Sequence, residues 1–368
     1  MNNSYNKNSY VFEENTTEKC SLNKINESEL FRKYKSSYKS AFFDLSKHVF
    51  YFSYSFYLLW FFRNSWLSCF TVPFMAVMLD RTFIIFHDCC HQSYTPNKTF
   101  NYILSHITGI FVLTSPNWIL DHHTHHLTNG NTENKYKYKF NELVNVTIKQ
   151  YNNFSTINKH IYSFIHHPII FFNFIPFIYF IVLQRFIYFI KKIKYKQKIN
   201  SSLFQIFMNH LLNNLLVYVF CKELLHYNIF VLFFTSYHIS SIIGFLLFFN
   251  QHTFNPPYIV NNETWNMKDS GLLGSSFIQI PKYLQYFTMG IEYHHIHHKN
   301  AKIPGYNLQK YHEEVVSKSN IFDNIVKLSM TDCYNNLWLA LYDEDNKKFI
   351  TLENNLLTRK IFLSNKTL

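Results

Sequence analysis

Glycine, proline and charged residues are scarce in this sequence. Its 368 residues include 7 Gly and 9 Pro, which excludes collagen-like, elastic and Gly/Pro-rich disordered chains. Charged residues make up 16%, well below the roughly 25% of a typical soluble domain. The chain does not open with a charged segment followed by an apolar core, so we expect no cleavable signal peptide. Asn2 likewise excludes N-myristoylation.

Cysteine patterns of the usual structural kinds are also absent. The spacing fits neither a disulfide framework nor a zinc motif with two residues between cysteines. We therefore interpret all six as reduced thiols, which suits a protein facing the cytosol. They are Cys20, Cys69, Cys89, Cys90, Cys221 and Cys333.

Apolar, aromatic and basic residues are abundant instead. Hydrophobic residues account for 48% of the chain and aromatic residues for 20%. The formal net charge is +12, and an excess of this size needs a polyanion, an anionic membrane surface or a basic tail. Because the apolar residues form long runs, we expect membrane lipids as the partner, and no nucleic acid.

The apolar runs predict an all-α integral membrane protein. A membrane-spanning helix needs about 20 mostly apolar residues. We predict four such helices in two hairpins, with further helices in the membrane interface and a cytosolic cap that carries a metal site. The four predicted spans are residues 42–62, 66–86, 203–221 and 229–249.

Two further apolar stretches are predicted not to cross. Residues 102–118 are too short to span and include Pro116, so a re-entrant or interfacial segment is expected. Residues 168–190 precede the densest basic run of the chain, 191–198. The positive-inside rule keeps that run in the cytosol if 168–190 lies in the interface or dips and returns. Both termini are then cytosolic.

The predicted domain organisation is simple. Residues 1–40 are polar and without a sustained period, which predicts a disordered tail. Residues 41–350 form the membrane domain, and 351–368 form a C-terminal tail.

Three histidine clusters follow the apolar stretches, at residues 87–91, 122–126 and 294–298. The first directly follows the span 66–86, the second follows the re-entrant stretch 102–118, and the third lies further along the chain after the span 229–249. Helical positions i, i+3 and i+4 share one face, so eight imidazoles fall on three short faces. Imidazole is the commonest metal ligand among side chains. Eight are too many for one metal but suit two, shared about equally. The eight are His87, His91, His122, His125, His126, His294, His297 and His298.

Other polar residues near the clusters are candidates for supporting roles. His123 and His295 lie about 100° from the ligand faces, so we assign them to hydrogen bonding or packing. Carboxylates commonly orient ligand imidazoles, and Asp88, Asp121 and Glu292 flank the clusters. Asp80 and Arg81 would be costly to bury unpaired, so they are interpreted as a structural or supporting pair.

The clusters resemble the three histidine boxes of the membrane fatty acid desaturases. The pattern is H-x-x-x-H, H-x-x-H-H and H-x-x-H-H, and the flanking segments 81–94, 118–131 and 290–308 resemble acyl-lipid desaturases of the delta-12/omega-6 type. The resemblance covers roughly residues 45–350. The third box begins with His294 and not Gln, unlike front-end desaturases, and Cys90 stands where many relatives have Gly.

The resemblance implies two non-haem iron ions, O2 and a fatty acyl lipid or acyl-CoA substrate. It also implies His252 as a ninth ligand and Asn250 as a supporting residue or water ligand. Since no haem-binding motif occurs, electrons would come from an external donor, a small haem cytochrome or a ferredoxin with its reductase. We expect the endoplasmic reticulum membrane, with the active site in the cytosol.

Two alternatives stay open at the level of sequence. The same scaffold supports hydroxylation or acetylenation of an acyl chain, and sphingolipid or carotenoid oxidation. A more distant alternative is a membrane protein that transports or senses Zn²⁺ or Cu⁺ through its histidines. Transport needs ligands within the spans, whereas these clusters lie beyond span ends, which favours an enzyme.

Overall fold

The computed structural model describes residues 26–133, 146–187 and 203–353. Cys20, the basic run 191–198 and most of both predicted tails lie outside the described residues. The five described cysteines are free thiols, as predicted.

Helices dominate the described chain. They are α1 Glu27–Tyr34, α2 Tyr38–Phe61, α3 Ser68–Cys90, α4 Lys98–Phe111, α5 Ile119–Thr128, α6 Ile148–Asn152, α7 Thr156–Ile165, α8 Pro168–Ile178, α9 Leu203–His226, α10 Phe230–His252, α11 Met267–Leu273, α12 Gln285–Thr288, α13 His294–Lys299, α14 Gly305–Lys318 and α15 Met330–Asn336. A 3₁₀ turn at Pro116–Trp118 precedes α5, and a π-helical segment at Tyr179–Ile187 continues α8.

Four helices are long and apolar enough to cross a membrane, which confirms the predicted membrane class. They are Ser68–Cys90, Pro168–Arg185, Leu203–His226 and Phe230–His252. The number agrees with the prediction, but one member of the set differs.

The difference concerns α2 and the segment that follows residue 168. The 24 residues of α2 give it a length of about 36 Å, enough to cross, but its Tyr, Ser, Lys and His residues keep it out of the apolar set. Pro168–Arg185, which we expected in the interface, is rich in Phe and Ile and meets the criterion for a span. Residues Lys98–Phe111 and Pro116–Thr128 form a pair bent by 104°, the geometry of a broken span or a re-entrant loop.

Helix α3 lies at the centre and packs against α2, α4 and α10. Leu59, Met75, Met78 and Phe233 are almost completely buried in the apolar core between these helices. The outer face of α9, in contrast to this core, carries exposed apolar side chains, such as Tyr218, which is 64% exposed. Exposed apolar faces on long helices are expected where a protein contacts lipid.

Part of the segment predicted to be a disordered tail is helical. Residues 27–34 form α1, which packs on α14 through a stacked pair of rings, Phe31 and Tyr311, 5.7 Å apart. Glu27 forms an ion pair with Lys299 at 2.9 Å. The sequence analysis did not predict this helix, because residues 1–40 are mostly polar and only Leu30, Phe31 and Tyr34 form its apolar face.

Two small sheets complete the cap. Strands β1 Val146–Thr147, β4 Leu339–Asp343 and β5 Lys348–Thr351 form one sheet, with β1 parallel and β5 antiparallel to β4. Strands β2 Phe277–Ile278 and β3 Lys327–Leu328 form a parallel pair. The fold is therefore mostly helical, with short strands that the sequence analysis did not predict.

The predicted pair of Asp80 and Arg81 is wrong. The Arg81 guanidinium pairs with Asp44 of α2 and donates to the Tyr286 carbonyl. Asp80 instead accepts a hydrogen bond from the Ser240 hydroxyl of α10 at 2.9 Å. Adjacent residues of a helix diverge by about 100°, so the two side chains meet different neighbours.

Candidate metal centre

Four helix ends bring the histidine clusters to one place. His87 lies in the last turn of α3 and His91 caps it, while α5 and the six-residue α13 carry the other two boxes. His252 ends α10 and joins them. The indole of Trp118, in the 3₁₀ turn before α5, stacks on the His122 ring with centroids 4.4 Å apart.

One group of potential ligands consists of His87, His91, His122 and His297, whose nitrogens lie within 4.8 Å of one another. The Nε2 of His87 is 3.0 Å from that of His122 and 3.1 Å from that of His297. All four residues are buried. This group could hold a metal ion.

A second group consists of His125, His252, His294 and His298. The Nε2 of His252 is 3.0 Å from the Nε2 of both His125 and His294. The Nε2 of His125 is 3.2 Å from that of His298. The residue expected from the resemblance alone, His252, therefore lies inside this group.

His126 lies between the two groups. Its Nε2 is 3.1 Å from that of His122 and 3.0 Å from that of His297, which places the nitrogen beside the first group. Its ring stacks on His298 of the second group, with centroids 4.2 Å apart. The structure thus brings together all nine imidazoles proposed from the sequence. The imidazoles of each group come from several helices.

The donor set fits transition metals. Burial lowers the pKa of His294, His297 and His298 well below the usual value, which favours the neutral imidazole that binds metals. The Nε2 of His91 is buried without a hydrogen-bond partner among the described residues. All-imidazole sites suit Fe, Zn, Cu and Ni, whereas Mg²⁺ and Ca²⁺ prefer oxygen ligands.

The carboxylate of Asp88 contacts the first group. One oxygen lies 3.1 Å from Nδ1 of His87, and the other accepts the Gly305 backbone N–H at 2.6 Å. A Cβ at residue 305 would lie 2.5 Å from the Met289 carbonyl oxygen, so only glycine allows this close approach. In the second group, Nδ1 of His252 lies 3.1 Å from the Gly274 carbonyl oxygen.

We expect Asp88→Ala to lower metal affinity or activity by about 10–100-fold, because the His87 ring loses the partner that fixes its orientation. Metal content and product yield of the purified variant measure this. Asp269→Ala is the control, since Asp269 is half-buried in the first turn of α11 and accepts a hydrogen bond from the Asn266 side chain. An unchanged metal content and yield in Asp88→Ala would remove Asp88 from the site.

The other supporting candidates contact different neighbours. Asp121 accepts a hydrogen bond from Gln184 of the π-helical segment at 3.1 Å. The Asn250 amide donates to the Leu246 carbonyl and accepts from the Asn336 amide at 3.2 Å, which links α10 to α15. Glu292 is buried, and burial raises its pKa to about 7.

His123 and His295 lie outside both groups. His123 is exposed, with its ring centroid 5.6 Å from that of His91. His295 is completely buried, and its Nε2 lies 3.2 Å from Nδ1 of His312. His312, which stacks on Phe322, is a neighbour that the sequence pattern did not reveal.

His123→Asn and His295→Asn are each expected to keep measurable enzymatic activity and bound metal, since neither ring reaches the two groups. His122→Asn and His294→Asn are expected to keep none. Fatty acid analysis together with metal content checks all four variants. If the His123 and His295 variants lost both product and metal, the helical interpretation of the boxes would be wrong.

An apolar cavity of about 470 Å³ adjoins the histidines. This volume lies within the range of roughly 300–1,000 Å³ of ligand pockets. His87, His122 and His294 form part of its wall. The remaining wall is largely aliphatic and aromatic, and it includes Phe83, Phe171, Phe180, Phe245 and Phe248.

Comparison with known proteins gives two matches. The family model described as fatty acid desaturase matches residues 64–320, which include all three histidine clusters. A Bacillus subtilis (strain 168) protein described as a fatty acid desaturase is 34% identical over 281 residues, and the match covers 75% of each chain. Both matches extend over most of the chain, and its three histidine boxes lie together in one site. The chain therefore belongs to the fatty acid desaturase family.

Proposed function

We propose that this membrane oxidoreductase is an O2-dependent fatty acyl desaturase with two iron ions and delta-12/omega-6-like, acyl-lipid specificity. The observation that carries the proposal is the position of two imidazole groups in the wall of an apolar cavity. A metal store or transporter has no need of such a cavity, whereas an enzyme acting on acyl chains does.

Each imidazole group would hold one iron. His126 joins the first group, which gives it five ligands, and the second group has four. Two irons bound there would supply the oxidising power to remove hydrogen from unactivated methylenes, which no side-chain acid or base can do. Iron accepts imidazole readily, and the family's activity favours it over zinc and copper.

The chain's own residues bind and position the substrate. The aromatic walls contributed by α3, α8 and α10 exclude water and hold an acyl chain against His87, His122 and His294. Tyr162 and Leu339, which line the same cavity, belong to the cap. The Tyr162 hydroxyl donates to the Ala340 carbonyl at 2.6 Å, so this boundary is fixed between α7 and β4. The head group, a lipid or coenzyme A, would lie at the cap.

Expression in yeast followed by gas chromatography of fatty acid methyl esters tests the activity. We expect a new product with one more double bond than an endogenous fatty acid, at the delta-12 or omega-6 position. A hydroxylated product would instead assign the chain to the hydroxylase alternative. A profile identical to that of the empty vector would contradict both.

We place the active site and both termini on the cytosolic side of the endoplasmic reticulum membrane. His87 near the end of α3 and His252 at the end of α10 belong to adjoining groups of one histidine site, so these two helix ends lie on one side. The short turns that join α2 to α3 and α9 to α10 then lie on the other side. Electrons would then come from a cytosol-facing donor, a small haem cytochrome or a ferredoxin with its reductase.

This orientation predicts the outcome of glycosylation mapping. Acceptor tags inserted at Asn64 and Asn228, in the two hairpin turns, are expected to be modified in the lumen. A tag at Ser319, after α14, is expected to stay unmodified. Modification at Ser319 would place the histidine boxes in the lumen and contradict the proposal.

A further inference from the structure

The acyl cavity contains one carboxyl group that the proposed chemistry does not use. Asp80 of α3 lines the cavity and is 8% exposed. Its Oδ1 accepts the hydrogen bond from Ser240, whereas its Oδ2 is buried without a hydrogen-bond partner among the described residues. Arg81, the neighbouring cation, is engaged by Asp44.

A carboxyl group inside an apolar, membrane-embedded cavity is costly. Ionisable residues within spans are rare and usually mark a functional site, because an unsatisfied polar atom cannot be hydrated there. Ser240 satisfies one oxygen of Asp80 only. The second oxygen therefore needs a partner that is not part of the described chain.

The cavity wall beside the carboxyl includes small residues. Ser240, Ser241 and Gly244 of α10 all line this part of the cavity. A Cβ on Gly244 would lie 3.3 Å from Asp80 Oδ1, so the glycine leaves the space beside the carboxyl open. A large apolar residue at this position would have covered the carboxyl. Here Asp80 forms part of the cavity wall.

We propose that Asp80 and Ser240 form a polar subsite that binds a hydroxyl group carried on the acyl chain of the substrate. The inference rests on the proposed function, since it assumes that an acyl chain occupies the cavity. A saturated hydrocarbon offers no partner to Oδ2. A hydroxyl group both donates and accepts, so it satisfies the carboxyl in either protonation state.

The position of Asp80 in α3 indicates where along the acyl chain the hydroxyl group would lie. Asp80 precedes His87 by seven residues, which is roughly 10 Å along the axis of α3. The cap, where the head group would lie, is near the histidine end of the cavity. The hydroxyl is therefore expected on the methyl-terminal side of the reacting methylenes.

Equilibrium binding to the full-length protein in lipid nanodiscs tests this. The probes are stearic acid and a positional series of monohydroxylated stearic acids. We expect one isomer to bind wild type about tenfold or more tightly than stearic acid, as a hydrogen bond to a carboxyl group implies. Asp80→Leu is expected to abolish this preference and to favour stearic acid. Asp80→Asn, which is isosteric, is expected to retain part of it.

Ser236→Ala is the matched control, because Ser236 is buried on the same helix but donates to the Leu232 carbonyl. Its preference should equal that of wild type. The inference is overturned if no isomer binds wild type better than stearic acid, or if Asp80→Leu keeps the preference. Stearic acid binding without any preference overturns this inference alone, whereas failure of every acyl probe to bind overturns the proposed function as well.

Discussion

Replacing His297 with alanine is expected to abolish desaturation while the protein stays in the membrane. The Nε2 of His297 lies 3.1 Å from that of His87 and 3.0 Å from that of His126, so its loss removes a ligand from the middle of the first group. Loss of one of the ligands that fix a metal typically removes the metal or misplaces it. Product yield, iron content and the amount of protein in the membrane fraction together measure the effect.

The matched control is His160→Ala, since His160 is an exposed histidine of α7. It should keep wild-type yield and iron content. The same loss is expected for the other seven imidazoles of the two groups and for His126. Full activity in any of these variants would remove that residue from the site.

Filling the cavity at Gly244 is expected to suppress desaturation of long acyl chains without loss of iron. A tryptophan there would occupy the space beside Asp80, which the methyl-terminal part of a long chain needs. Differences of one methylene in an apolar pocket already change rates by about 10–200-fold, so we expect at least a hundredfold loss with Gly244→Trp. Product yield from long and short acyl substrates, with iron content, measures the effect.

Val231→Trp places the same bulk on an exposed position of α10, where Val231 is 73% exposed, and should leave both quantities unchanged. Loss of iron together with activity in Gly244→Trp would mean that the variant disturbs the metal centre and not the cavity. Unchanged activity on long chains would show that the substrate does not reach this part of the cavity.

Much of the site could be predicted from the sequence because its chemistry is local. The spacing i, i+3, i+4 places eight histidines on helical faces, and the structure places all eight within the two groups or beside them. His252 stands alone at the end of α10, so no periodicity identifies it as a ligand. Its prediction as a ligand rested on the family resemblance. Likewise, the off-face positions of His123 and His295 follow from helical geometry alone.

The features that were missed depend on contacts between distant parts of the chain. The division into two groups combines α3, α5, α10 and α13, and no local pattern specifies which ring meets which. Arg81 meets Asp44 and Asp80 meets Ser240 because of how α2 and α10 pack on α3. The two-residue strands β1, β2 and β3 exist only as partners of other strands, so their sequences carry no period of their own.

The central claim is that these imidazoles hold two iron ions, and metal analysis of the purified full-length protein tests it most directly. The two groups predict about two Fe per chain in wild type, with clear loss in His297→Ala and His294→Ala, one variant for each group. Zinc or copper in place of iron, or a single metal ion per chain that only one of these variants removes, would contradict the account.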